Sequence, residues 1–308
     1  MSAPVPVPGS GVGAPAAMFE LPPELEIDAG VARRVIAEFI RGQLRQAGFE
    51  RAVLGLSGGI DSGLVAYLVA EAIGAERLLC VLMPYRTSSP ESRSDAEEVV
   101  RRLGCASMLV DISPMVDGYF GRDGVEAAAG PDGLEASALR RGNIAARMRM
   151  SVLYDQSVPW RGLVVGTGNK TESLIGYTTL FGDSACAFNP IGDLYKSQVR
   201  QLAADIGVPE AIIRKAPSAD LWPGQTDEAE AGFSYPVLDR LLFWRVDKRR
   251  SVEEVVALGF DRDLVERVDR MVAGAEFKRQ MPPIAKLGPR TAGVDYLYPR
   301  RRPGSARS

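Results

Sequence analysis

Histidine is absent from all 308 residues of the sequence. Its absence removes every Ser-His-Asp triad, every Cys-His dyad and every His-liganded zinc site at once. Cysteine is scarce as well. Cys80, Cys105 and Cys186 are an odd number at wide spacing, with no CxxC pair to mark a metal site or redox motif, and this usage suits a reducing cytoplasm. No run of ~18 apolar residues is available to span a bilayer, and the N-terminus lacks the basic region and apolar core of a secretory signal. A cytoplasmic protein without membrane contact is expected. An excess of one charge is missing too: 37 Lys and Arg face 39 Asp and Glu, a formal balance of −2. Without a broad basic field, a dedicated nucleic-acid binder is disfavoured. What chemistry remains must use carboxylates, lysine, hydroxyls, backbone amides or a bound ion. Nucleotidyl transfer on magnesium needs this equipment, because most of its catalysis is positioning and charge neutralisation.

Apolar residues make up 46% and charged residues 25%, the proportions of an ordinary globular chain with a sizeable core. Residues 1–25 are rich in Pro, Ala and Gly without apolar periodicity and read as a mobile tail. Its Gly11-Val12-Gly13 follows no strand, so it is no dinucleotide fingerprint. Val31, Val35, Ile36, Phe39 and Ile40 recur at helical spacing up to Gly48. Short apolar runs of buried-strand length follow at 52–56, 78–83, 107–110 and 163–165, each separated from the last by a helical pattern. Alternation of this kind predicts an α/β fold, a parallel sheet with helices on both faces. A Gly/Asp/Ala-rich stretch at 121–133 reads as a surface loop or lid, and a long helix is expected over 134–156. On it Asn143, Arg147 and Tyr154 fall within one narrow stripe. Such a stripe is either a solvated polar face or a set of side chains turned to one ligand. After Asp193 come helical segments ending near Phe277, then a basic tail with Arg300, Arg301 and Arg302. The expected organisation is a tail over 1–25, one domain over 26–285 and a basic tail over 286–308.

Ser57-Gly58-Gly59-Ile60-Asp61-Ser62 stands directly after a predicted buried strand and opens a helix. At the carboxyl edge of a parallel sheet, such a turn presents amides and a helix N-terminus to an anion. Gly58 and Gly59 let backbone approach phosphate oxygens that a Cβ would push away. Ser57 and Ser62 offer hydroxyl donors, and Asp61 suits a magnesium ion on those phosphates. The loop is not a Walker A motif, because no GxxxxGK[ST] occurs. It resembles instead the SGGxDS loop of the N-type ATP pyrophosphatases, which cleave ATP between the α- and β-phosphates and pass AMP to a substrate oxygen.

Further motifs narrow the choice: Gly166-Thr167-Gly168-Asn169-Lys170-Thr171-Glu172, Gly176-Tyr177, Phe181-Gly182-Asp183, Asn189-Pro190-Ile191, Lys196, Pro217 to Leu221 and Gly224 to Glu228. In this order and spacing the chain resembles the NAD synthetase family over about residues 30–285. The resemblance implies an adenine-nucleotide α-hydrolase-like, Rossmann-like fold. It implies a ligase that takes ATP, ammonia and nicotinic acid adenine dinucleotide through an adenylated intermediate to NAD. The matching positions would be Asp61 and Glu172 on magnesium; Thr167, Lys196 and Ser218 around the triphosphate and adenylate; and the backbone of Leu82 and Met83 at adenine, with Arg93 nearby. Asn143, Arg147 and Tyr154 match a helix contributing to the dinucleotide site at a homodimer interface. Asp183 matches an acid near the ammonia site, where it would accept a proton; a structural helix-capping role fits it equally. Taken alone, Glu172 reads more simply as a solvated acid at a helix start. Gly224 to Gly232 resembles the family's loop over the active site, which would shelter an acyl adenylate from water. Lys278 and Arg279 match basic residues of the family's C-terminal segment, but Phe277 stands where the family carries histidine.

Some members of this family carry an amidase domain of ~250 residues ahead of the synthetase part. About 30 residues precede the first helix here, and the cysteines lack the acid and lysine partners of an amidase nucleophile. Free ammonia is therefore the expected nitrogen donor. Two other readings share the SGGIDS loop. A tRNA-modifying ATP pyrophosphatase would need a basic RNA surface, against which the charge balance argues. A non-catalytic nucleotide-binding regulator would have no need of Asp61, Glu172 and Lys196 together.

Overall fold

The computed structural model describes residues 21–121, 134–216 and 233–295. Four parallel strands, β1 (Arg51–Gly55), β2 (Leu78–Leu82), β3 (Ala106–Leu109) and β4 (Gly162–Val165), form one sheet in the order β3-β2-β1-β4. Each lies within a residue or two of its expected run. Residues alternate across β1, so that Ala52 and Leu54 join one apolar cluster and Val53 joins another, as the period of two along a strand requires. The first cluster is closed by α1 (Ala29–Ala47), α2 (Ile60–Ile73), α3 (Pro90–Leu103) and α7 (Lys196–Ile206). The second is closed by α4 (Ser113–Phe120) and α5 (Leu134–Trp160). The sheet is thus covered on both faces, as expected of an all-parallel sheet.

Leu25, inside the stretch read from sequence as a tail, is 1% exposed and packs in a third cluster with Tyr195, Leu238, Leu241 and Leu242. This cluster joins α9 (Tyr235–Leu242), α10 (Val252–Ala257) and α11 (Arg262–Gly274). The short helix α6 (Lys170–Ile175) packs Leu174 and Ile175 against this third cluster, and α8 (Glu210–Arg214) places Ile212 and Ile213 in the first. Among the described residues no helix is long and apolar enough to cross a membrane.

The order of strands decides where a ligand can sit. From β1 the chain steps outward through β2 to β3, and then returns to place β4 on the other side of β1. The crevice beyond the carboxyl ends of β1 and β4 is therefore the topological switch point, where open α/β sheets receive their ligands.

Candidate active site

Both strands at that switch point run into a helix through a turn. After β1, the turn Ser57–Gly59 leads to α2, whose first turn no side chain caps. Its leading amides thus meet the crevice as an anion-binding end. The Ser57 and Ser62 hydroxyls lie 3.1 Å apart; Ser62 Oγ donates to the Gly59 carbonyl and accepts from the Ser57 amide, while Ser57 Oγ accepts from the Gly59 amide. The two serines thus hold the loop in shape. After β4, half-buried Thr167 leads to Asn169, which is fully buried. Asn169 Oδ1 accepts from the Glu172 amide at 2.9 Å, and Glu172 Oε2 accepts from the Asn169 amide at 3.2 Å, a capping box that starts α6.

The third element arrives by a short parallel extension of the sheet. Phe188 bridges Val165, and the Gly166 amide donates to the Phe188 carbonyl at 2.9 Å, carrying the chain on to Lys196 at the first turn of α7. The Lys196 ammonium donates to Asp61 Oδ2 at 2.5 Å and to Glu172 Oε1 at 3.3 Å. Asn169 Nδ2 donates to the other Asp61 oxygen at 2.9 Å. Lys196 is 3% exposed and each acid 18%. A lysine so buried is tolerable only because it is paired on both sides. The two acids read from sequence as flanking one crevice do meet, on a single ammonium nitrogen.

Thr171, Ser197 and Asp239 lie beneath this cluster, and sequence reasoning did not assign them. Asp239 is fully buried and accepts from Thr171 Oγ1 at 2.6 Å, from the Ser197 amide at 2.7 Å and from Ser197 Oγ at 2.6 Å. Burial holds its carboxyl above the usual carboxylate range, and the donors together with the Arg200 charge offset this only in part. One signal for it was present: Tyr235, Leu238, Asp239 and Leu242 follow the apolar spacing of a helix, with an acid on the buried stripe.

The other expected residues gather elsewhere. Asn143 Oδ1 accepts from Thr179 Oγ1 at 2.9 Å, and Arg147 donates to the Leu180 carbonyl at 3.1 and 3.3 Å. The α5 stripe thus grips the loop that follows α6. In that loop Asp183 accepts from Thr178 Oγ1 and the Thr179 amide, each at 2.7 Å. Tyr154 is half-exposed, its phenol pushed up by burial and by neighbouring Cys186. Lys278 donates to the carbonyls of Gly176 and Thr178, and Arg279 to those of Ser173, Leu174 and Val272, so the basic pair holds the end of α6. Phe277 is exposed.

Leu82 and Met83 are buried at the end of β2, where the Met83 carbonyl accepts from Arg149 Nε at 3.0 Å. Arg93 lies on the surface of α3 and pairs with Glu97 at 2.7 Å. Ser218, the stretch 122–133 and the motifs over 217–232 lie outside the described residues.

The NAD synthase family model matches residues 32–282. A relative from Trichlorobacter lovleyi, named NH(3)-dependent NAD(+) synthetase, is 49% identical over 276 residues, 90% of this chain and 97% of its own length. Among solved structures, the NMN synthetase from Francisella tularensis aligns with a TM-score of 0.73 at 28% identity, over 84% of this chain and 99% of that one. The NH3-dependent NAD synthetase from Campylobacter jejuni aligns with a TM-score of 0.70 at 32% identity, over 85% and 100%.

Proposed function

The chain belongs to the NAD synthase family, and from that premise we propose that it amidates nicotinic acid adenine dinucleotide to NAD, with ATP as co-substrate and ammonia as nitrogen donor. The observation that carries this reading is the meeting of Asp61, Glu172 and Lys196 beside the uncapped start of α2. Relatives matched over nearly their full length bear the corresponding name.

In the first step a carboxylate oxygen of the nicotinate attacks the α-phosphorus of ATP and pyrophosphate departs. In the second, ammonia attacks the activated carbonyl, AMP departs and a proton is released. The α2 amides and Thr167 receive phosphate oxygens, and Lys196 offsets the charge that gathers on the departing pyrophosphate. Ser218 belongs to the same proposed set, as do the Leu82 and Met83 backbone and Arg93 on the adenine side. Asn143, Arg147 and Tyr154 would meet the dinucleotide, and Asp183 would accept the proton that ammonia gives up.

Magnesium fits the oxygen donors present. Among the described residues no cluster of three or more acids, cysteines or histidines forms a cage, but magnesium binds ATP sites through one or two carboxylates together with phosphate oxygens. Asp61 and Glu172 would hold it, and when bound it neutralises the triphosphate. The same reading makes the protein a cytoplasmic homodimer.

The test is purified protein with ATP, magnesium, ammonium and the dinucleotide, with NAD, AMP and pyrophosphate measured. NAD and AMP are expected in equal amounts, and Asp61→Ala is expected to abolish pyrophosphate release. Because a structural neighbour is an NMN synthetase, nicotinic acid mononucleotide runs in parallel. Faster turnover of the mononucleotide would overturn the substrate assignment, and full turnover by Asp61→Ala would overturn the role of that acid.

A further inference from the structure

Asp239 poses a physical question that the chemistry of the crevice does not answer. Its neighbours on the buried side of α9 are Leu238, Leu241 and Leu242, and a leucine would fill the same layer without the desolvation that a buried carboxylate costs. What the carboxylate does that a leucine would not is bind two separate helices. Its Oδ1 takes the hydroxyl of Thr171, the residue before Glu172. Its Oδ2 takes both the amide and the hydroxyl of Ser197, the residue after Lys196. Thr171 Oγ1 also accepts from the Lys196 amide at 3.0 Å, which closes a ring through α6, α7 and α9. From the same helix, Tyr235 lays its ring 5.3 Å from the Lys196 ammonium, within the range of a cation–π contact.

We propose that Asp239 is a positioning residue for the adenylation step: it clamps the first turns of α6 and α7 together, and so fixes Lys196 against Glu172 and Asp61. The proposal rests on the reading of that cluster as the seat of ATP chemistry. Glu172 and Lys196 come from different helices, 24 residues apart, and beneath them the ring through Asp239 joins the two helix starts. Misplacement of a reacting group by about 1 Å can slow a reaction ~100-fold, so loosening the clamp should slow the loss of pyrophosphate while leaving the substrates bound.

The experiment measures pyrophosphate release by the full-length protein, with ATP and the dinucleotide each titrated to give kcat and KM separately. Asp239→Asn keeps the shape but leaves one donor of the ring without an acceptor. Thr171→Val removes the hydroxyl at constant volume, whereas Thr171→Ser restores it. Asp239→Asn and Thr171→Val should each lower kcat at least about tenfold with KM changed less than about threefold, and Thr171→Ser should recover most of the rate. In a Lys196→Met background, Asp239→Asn should add little further loss, because both changes act through one ammonium; a merely structural role would add its full effect there. Wild-type kcat in Thr171→Val, a rise confined to KM, or full additivity with Lys196→Met overturns the proposal while leaving the functional reading intact. A wild-type protein that releases no pyrophosphate ends both. Should Asp239→Asn fail to fold, the pair at Thr171 decides.

Discussion

At Gly58 the backbone takes φ +80°, and a Cβ built there would stand 2.0 Å from the Ser92 carbonyl oxygen at the first turn of α3. The SGGxDS pattern suggested a glycine that makes way for phosphate, and this one also makes way for a neighbouring helix. Gly59 is different: its φ is −86° and a Cβ would meet only Ser57 Oγ, at 3.3 Å. The same substitution at adjacent positions should therefore separate folding from binding. Gly58→Ala should destabilise by about 3 kcal/mol, from left-handed strain and the displaced turn together. Gly59→Ala should leave thermal unfolding within a few degrees and weaken ATP binding about tenfold, because its methyl enters the space in front of the α2 amides. Thermal unfolding and ATP titration of both proteins check this, and equal losses of stability would contradict it. Lys196 shows the limit of reading single residues. Its motif marked it as a site residue, yet nothing in Tyr195-Lys196-Ser197 signalled a side chain only 3% exposed, because that burial depends on acids 135 and 24 residues away.

Among the elements, α6 does most to join the fold to the chemistry. Its N-cap, Asn169, starts the helix with Oδ1 and holds Asp61 with Nδ2. Removing the cap alone costs ~1 kcal/mol, and serine at this position keeps a cap but is too short to replace the amide donor. Asn169→Ala should therefore lose about 1 kcal/mol of stability together with most of its activity, and Asn169→Ser should lose activity about tenfold with nearly normal unfolding. Urea unfolding beside pyrophosphate release distinguishes the two, and a fully active Asn169→Ser would remove Asn169 from the site. The elements themselves were largely legible in the sequence. Short apolar runs marked each strand to within a residue or two; β1 and β2 are buried on both faces, as central parallel strands are, whereas the edge strand β3 is only partly covered. The start of α2 was legible because glycines and an acid stand at a strand end. The ring around Asp239 was not, because Thr171, Ser197 and Asp239 are ordinary polar residues whose meeting depends on how three helices pack. Only the acid on the buried stripe of α9 hinted at it.

On the scale of the whole molecule, α5 and α1 are among the described helices that present apolar side chains outward. On α5 these are Leu139, Tyr154 and Val158, with Phe181 on the loop that α5 grips; on α1 they are Val31, Val35 and Phe39. Exposed apolar residues of this kind mark candidate contact surfaces. The α5 set shares its helix with Asn143 and Arg147, which hold the loop carrying Asp183. Burying α5 against a second copy would thus stiffen the proposed dinucleotide site as well as cover apolar surface, an advantage that α1 does not offer. Val158 is 75% exposed and Val35 63%, so a glutamate at either position should leave the monomer fold intact. Val158→Glu is expected to convert a dimer to a monomer in light scattering and to raise the KM for the dinucleotide several-fold while ATP binding stays normal. Val35→Glu is expected to do neither. Dissociation by Val35→Glu with Val158→Glu still dimeric would move the interface to α1 and leave the α5 stripe to the ligand alone.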